Sequence, residues 1–137
     1  MYRPFIFCHM ATAVDGKING PFMDTREFSV PGTVFDDISM RNQGGYNMEG
    51  WLSGRVTTDK NFTFFKKPEL DENAPEVPAG DFVPAEKKDR YYISVDPSGK
   101  LGWDKNYIEY EEIAYVLEIL TEKASNAYKA LLSDLSS

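Results

Sequence analysis

Residues 3 to 14 carry Phe5, Ile6, Phe7, Cys8, Met10, Ala11, Ala13 and Val14 with scarcely a polar position between them. A run with no room for a solvent face predicts a strand covered on both sides, as in the middle of a mostly parallel sheet. It leads directly into Asp15, Gly16, Lys17, Asn19 and Gly20, a polar cluster placed where such a strand would leave the core.

The rest of the chain alternates between the two periods. Val34, Phe35, Ile38 and Met40 recur at helical spacing. With Thr33 as N-cap and Asp36 and Asp37 in the first turn, they predict a short helix after Pro31 that ends near Gly44 and Gly45. Trp51 and Leu52 predict a short strand that opens at Gly54 onto a helix start capped by Thr57 and Thr58. Pro68, Pro75, Pro78 and Pro84 stand among charges, so 66–89 reads as a long surface loop, either a lid or a decorated connection.

"RYYISVD" alternates as a strand, "PSGK" (97–100) is a turn and "IAYVLEIL" (113–120) is another apolar strand. Ala127, Ala130, Leu131 and Leu135 share one helical face behind Ser125 as cap. Strands alternating with helices predict an α/β sheet with helices on its faces. A helix that follows a parallel strand hands the chain to another one, so a further element is expected after Ser137.

Composition narrows the possibilities. A length of 137 residues suits one domain. Fifteen basic against 22 acidic side chains give a net charge of −7, which disfavours nucleic acid as a partner and requires any phosphate ligand to be held locally. One cysteine and one histidine allow neither an intramolecular disulfide nor a Cys/His zinc site, so no metal is expected. No apolar run approaches the roughly 20 residues that cross a bilayer, and the apolar part of the N-terminus is short for a signal peptide. No membrane partner and a cytoplasmic location are therefore expected.

Ligands of parallel α/β sheets bind where strands end and helices begin, because helix N-termini there present unpaired N–H groups. Two turns fit that position, 15–20 and 54–58. The bland reading of "VDGKIN" is a reverse turn, with Asp and Gly chosen for backbone reasons. The bland reading of "GRVTT" is a strand-to-helix turn with a threonine cap and a solvated arginine. The functional reading gives Arg55 a planar fork for a phosphate, with Thr57 and nearby N–H groups holding further oxygens. His9 reads as a packed or wall-lining residue, Cys8 as a small buried one, and Phe62, Phe64, Phe65, Trp51 and Trp103 as core.

"RPFIFCHMATAVDGKING" is similar to the opening strand of the dihydrofolate-reductase-like superfamily, and specifically of the reductase domain of riboflavin biosynthesis and its small stand-alone relatives. "WLSGRVTTD" resembles that family's Gly-Arg-x-Thr turn, and "RYYISVDPSGKLGW" and "AYVLEILTEKASNAYKALL" its later strand-turn and strand-helix segments. The resemblance implies a three-layer α/β/α fold with a mostly parallel central sheet, incomplete at the C-terminus of these 137 residues. It implies hydride transfer from NADPH to a small heterocyclic or ring-opened sugar substrate. Ala11 and Ile18 would lie near the nicotinamide; Gly54, Arg55 and Thr57 would face the cofactor phosphates and adenosine. Arg55 would favour the 2′-phosphate. Asp15, Lys17 and Asn61 remain as candidates on the substrate side, with no catalytic residue assigned. A homodimer is expected, as relatives commonly pair.

Two departures stand against the family pattern. Where members that act on the riboflavin precursor carry an aspartate four positions after the threonine, this chain has Asn61, with Asp59 two residues earlier. The strand and Gly-Gly loop that normally follow the last helix and grip the pyrophosphate are not among these residues. The sequence is then a fragment of a longer frame, a fold completed by another chain, or a protein that has lost cofactor binding. A pteridine or folate reductase is a weaker alternative, because the helix after Pro31 offers only Asp36 and Asp37 near its start. A non-catalytic remnant or assembly module is the alternative outside the enzymes.

Overall fold

Four strands form one mixed sheet in the second part of the chain: β1 (Gly50–Gly54), β2 (Tyr91–Val95), β3 (Tyr107–Tyr110) and β4 (Glu112–Ile119). Their spatial order is β1-β2-β4-β3, with β1–β2 and β2–β4 parallel and β3–β4 antiparallel. This computed structural model describes residues 2–41 and 43–136. It divides into two compact units, Met1–Met48 and Glu49–Ser137, and each is described by itself.

In the second unit, alternation along β2 buries Tyr92 and Ser94 and leaves Tyr91, Ile93 and Val95 half-buried, as the pleat requires of a sheet with one well-covered face. Tyr92 joins Leu101, Trp103, Ile108 and Ala114 in the core, and Trp51, Phe62, Val116, Leu132 and Leu135 pack against them. Of the five aromatics read as core, Trp103, Trp51 and Phe62 meet that expectation. Phe64 and Phe65 do not. Both take left-handed backbone angles (φ 51° and 60°) where the chain reverses after the second helix, and the reversal turns them out to solvent.

That helix, α2, spans Arg55–Thr58 and runs on into a π-type turn, Asp59–Thr63. Gly54 occupies its N-cap with extended backbone and no side-chain bond, so the expected threonine caps are corrected: Thr57 and Thr58 lie inside the helix. The Thr58 hydroxyl instead donates back to the Gly54 carbonyl at 3.1 Å, a bond open to Ser and Thr within helices. Residues 66–89 form no helix or strand, as their prolines predict. Asn126 fastens part of that loop, accepting the Val77 N–H at 2.8 Å and donating to the Pro75 carbonyl at 3.1 Å. The last helix, α3 (Asn126–Leu135), starts at the expected cap, where Ser125 accepts the Tyr128 N–H at 3.2 Å. Its most buried residues are Ala127 and Tyr128, and the tyrosine was no part of the expected stripe. Strand β3 was not anticipated either: four residues with an acidic member carry a weak pattern, and pairing with β4 through the left-handed Glu111 (φ 61°) is what makes them a strand.

In the first unit, helix α1 spans Ser29–Ser39 after two 3-10 turns, Pro21–Asp24 and Arg26–Phe28. It begins before Pro31, because a proline in the first turn lacks only an N–H that would have no helical partner. Thr33 is therefore an internal residue, its hydroxyl bonded to the Ser29 carbonyl at 2.9 Å, and Asp36 and Asp37 fall in the second half of the helix. The helix also stops at Ser39, short of Gly44.

The expected strand over 3–14 is corrected as well: these residues form no strand. Phe5 and Ile6 are 81% and 82% exposed, and Cys8, read as buried, is exposed. An apolar run becomes a buried strand only where neighbouring strands take its N–H and C=O groups and layers cover both faces. No strand lies within this unit to do so among the described residues. No helix is long and apolar enough to cross a membrane among the described residues.

Candidate functional site

The parallel register aligns Gly54 with Val95 and Val95 with Ile119, so β1, β2 and β4 end at one level. Ligands of open α/β sheets collect along such an edge, and two groups of side chains stand there.

The first is the turn after β1. Gly54 is exposed with extended backbone, and a Cβ built on it meets nothing within 4 Å, so the main chain is open to close approach. Arg55 follows at the start of α2 with its side chain 38% exposed, and one guanidinium nitrogen reaches Asp59 Oδ2 at 3.5 Å. That pairing is long for a hydrogen bond, which leaves most of the planar fork available. Thr57 is exposed, and the exposed Asn61 donates to its carbonyl at 2.8 Å. Asn61 therefore serves as a brace within the turn. Below it, the buried Thr58 hydroxyl lies 2.9 Å from both Tyr92 Oη and Ser94 Oγ, which ties the turn to the sheet.

The second group was missed by the sequence reading. Asp96, directly after β2, is wholly buried. Its Oδ2 accepts the N–H groups of Lys100 and Leu101 at 2.6 and 3.0 Å, while its Oδ1 has no partner. Glu118 near the end of β4 faces it. Tyr128 Oη approaches Glu118 Oε1 at 2.7 Å and the Leu101 carbonyl at 3.0 Å, and the Trp103 indole donates to Glu118 Oε2 at 3.0 Å. Burial first, and then Asp96, push the Glu118 carboxyl up to about 9. Burial and the neighbouring Glu118 likewise raise the Tyr128 phenol. The sequence did carry a trace of this: Glu118 shares the inward register with Ala114 and Val116 in an otherwise apolar strand, a position where an acid needs a special partner. Asp96 stood in the sequence only as the last residue of the strand "RYYISVD".

In the first unit, residues 15–20 make a local reverse turn. Gly16 has φ 81°, the Ala13 N–H donates to the Lys17 carbonyl at 2.8 Å, and Lys17 pairs with Asp15 at 2.9 Å, both exposed. The lysine holds the Asp15 carboxyl below its usual range. Ala11 lines a shallow apolar groove of about 380 Å³ with His9, Met10, Val30, Val34 and Phe35, and Ile18 is exposed. His9 is a packed residue, as expected: its ring stacks on Phe35 at 4.7 Å and its Nδ1 lies 2.8 Å from the buried Ser39 Oγ. Gly54, Arg55, Thr57 and Asn61 thus come together in one turn. Asp15 and Lys17 form a separate local pair in the other unit. No group of three or more His, Cys, Asp or Glu able to hold a metal occurs among the described residues.

No protein-family model, no curated protein and no solved structure matches this chain.

Proposed function

We propose that this chain is the nucleotide-binding part of an NADPH-dependent reductase of the riboflavin-biosynthesis type, acting on a small heterocyclic or ring-opened sugar substrate. One observation carries the reading: a glycine with open space above its backbone ends a parallel strand, and an arginine with an accessible fork follows it at once. Glycine admits close approach of a phosphate to main-chain N–H groups, and arginine gives a bidentate contact to it. Gly54, Arg55 and Thr57 would hold the phosphates, and the resemblance puts Ala11 and Ile18 toward the nicotinamide; Asp15, Lys17 and Asn61, the last a departure from the family pattern, are the candidates on the substrate side. When bound, the cofactor supplies the hydride; the protein binds, orients and excludes water. Pairing of two copies in the cytoplasm belongs to the same proposal, and β1, an edge strand with Leu52 exposed, is a surface suited to it.

Nucleotide titration followed by thermal unfolding tests the reading. A ligand that binds only the folded state raises the melting temperature, so NADPH is expected to raise it more than NADH does. No response to either nucleotide at about millimolar concentration, well above the affinities such sites need, removes the proposal.

A further inference from the structure

We propose that Glu118 is held as the neutral acid and directs its proton to the unpartnered oxygen of Asp96, so that the two carboxyl groups form a pH-sensitive fastening between the ends of β2 and β4 and helix α3. The unpartnered oxygen is the starting point. Asp96 Oδ1 is fully buried without a donor, and a buried carboxylate oxygen left bare is costly. Glu118 and Asp96 share Tyr128, whose Oη lies 2.7 Å from Glu118 Oε1 and 3.4 Å from Asp96 Oδ2, and two buried carboxyl groups beside one hydroxyl resist both carrying a negative charge in a low-dielectric site. A proton on Glu118 removes both difficulties at once, because it supplies the missing donor and cancels one charge.

The remaining bonds decide which acid carries the proton. Asp96 Oδ2 accepts two main-chain N–H groups, while Oδ1 is left to a donor from the facing acid. Around Glu118, the Trp103 indole can only donate, and it takes Oε2 at 3.0 Å. Tyr128 donates its O–H to Glu118 Oε1 at 2.7 Å, so the carboxyl's own proton is left for Asp96. The titratable groups that act on Glu118 are Asp96, after β2, and Tyr128, on α3; Trp103, from the segment before β3, contributes a neutral donor. Loss of the proton would set two buried negative charges against each other at the contact that holds Tyr128, and with it α3, to the sheet.

The sign of the pH effect follows. The folded protein holds a proton that an unfolded chain releases above the ordinary carboxyl range, so the contribution of Glu118 to stability is fully present in acid and is lost as pH rises toward the folded titration point. Equilibrium unfolding of the full chain across that range is expected to show this fall, and Glu118→Gln is expected to flatten it. Gln is a neutral isostere whose amide can donate to Asp96 while its oxygen accepts from Trp103. A Glu118→Gln protein with the same steep fall as the unmodified chain overturns the proposal. Infrared spectra of the unmodified protein give a reading that does not depend on how the variant folds. At neutral pH they should contain the C=O stretch of a buried protonated carboxylic acid that exchanges slowly in D₂O. A spectrum with ionised carboxylates alone overturns the proposal as well.

Discussion

Thr58 Oγ1 and Tyr92 Oη lie 2.9 Å apart, both residues essentially without solvent exposure. This contact joins the helix after β1 to the central strand β2 directly beneath the turn that carries Arg55. The same hydroxyl reaches Ser94 at 2.9 Å, so one threonine satisfies two buried groups on the inward face of β2. Thr58→Val keeps the shape and removes the hydroxyl, stranding Tyr92 and Ser94. A loss of about 1–3 kcal/mol in urea unfolding is expected, with Thr58→Ser recovering most of it. A valine variant as stable as the parent would show that water replaces the hydroxyl at this point.

Gly54 separates binding from folding. Its φ is −78° and a Cβ there meets no atom within 4 Å, so Gly54→Ala should leave stability within about 0.5 kcal/mol of the parent or raise it slightly. The added methyl occupies the space through which a phosphate would approach the main chain. Under the nucleotide proposal, Gly54→Ala therefore weakens NADPH binding in a calorimetric titration while the fold stays intact. Unchanged affinity would take Gly54 out of the site.

Arg55→Ala bears on the choice of nucleotide. The fork at the end of β1 is the candidate for the 2′-phosphate, and loss of one charge-assisted contact costs about 1.5–3 kcal/mol. The expected result is a drop in NADPH affinity with little change for NADH. If both nucleotides bind as before, the preference arises elsewhere. Arg55→Lys should recover the charge but not the bidentate geometry.

Gly99 has a purely structural role. Its φ of 65° and the 2.5 Å separation between a built Cβ and Tyr128 Cδ1 place two penalties on any side chain. Gly99→Ala should cost about 2–4 kcal/mol, from the left-handed backbone and from overpacking against the ring. Because Tyr128 links α3 to Glu118, the near-ultraviolet circular dichroism of that tyrosine is expected to change too.

Trp103→Phe tests the electrostatics around Glu118 from the other side. The indole N–H favours the ionised form of Glu118, whose carboxyl already stands at about 9 against an ordinary 4.5. Removing that donor moves the folded titration further up. Stability that is present below the ordinary carboxyl range is then lost over a wider alkaline span, at no more than about 1.4 kcal/mol per pH unit. Denaturation midpoints from about pH 5 to about pH 10 would show the decline continuing to higher pH than in the parent.

Local chemistry settled a good deal of this protein. The Ser125 cap, the proline-rich connection over 66–89, the alternation of β2 and the apolar run of β4 follow from residues near one another in the chain, because caps, turns and pleats are decided within a few residues. The Gly54–Arg55 turn was legible for the same reason. What depended on distant partners was not. The apolar residues from Phe5 to Val14 have the composition of a core strand, yet a strand exists only where other strands accept its hydrogen bonds, and their unit contains none among the described residues. Glu118 and Asp96 are 22 positions apart, and only the parallel pairing of β2 with β4 sets them face to face; burial and mutual charge, which no single stretch of sequence displays, then give the pair its chemistry.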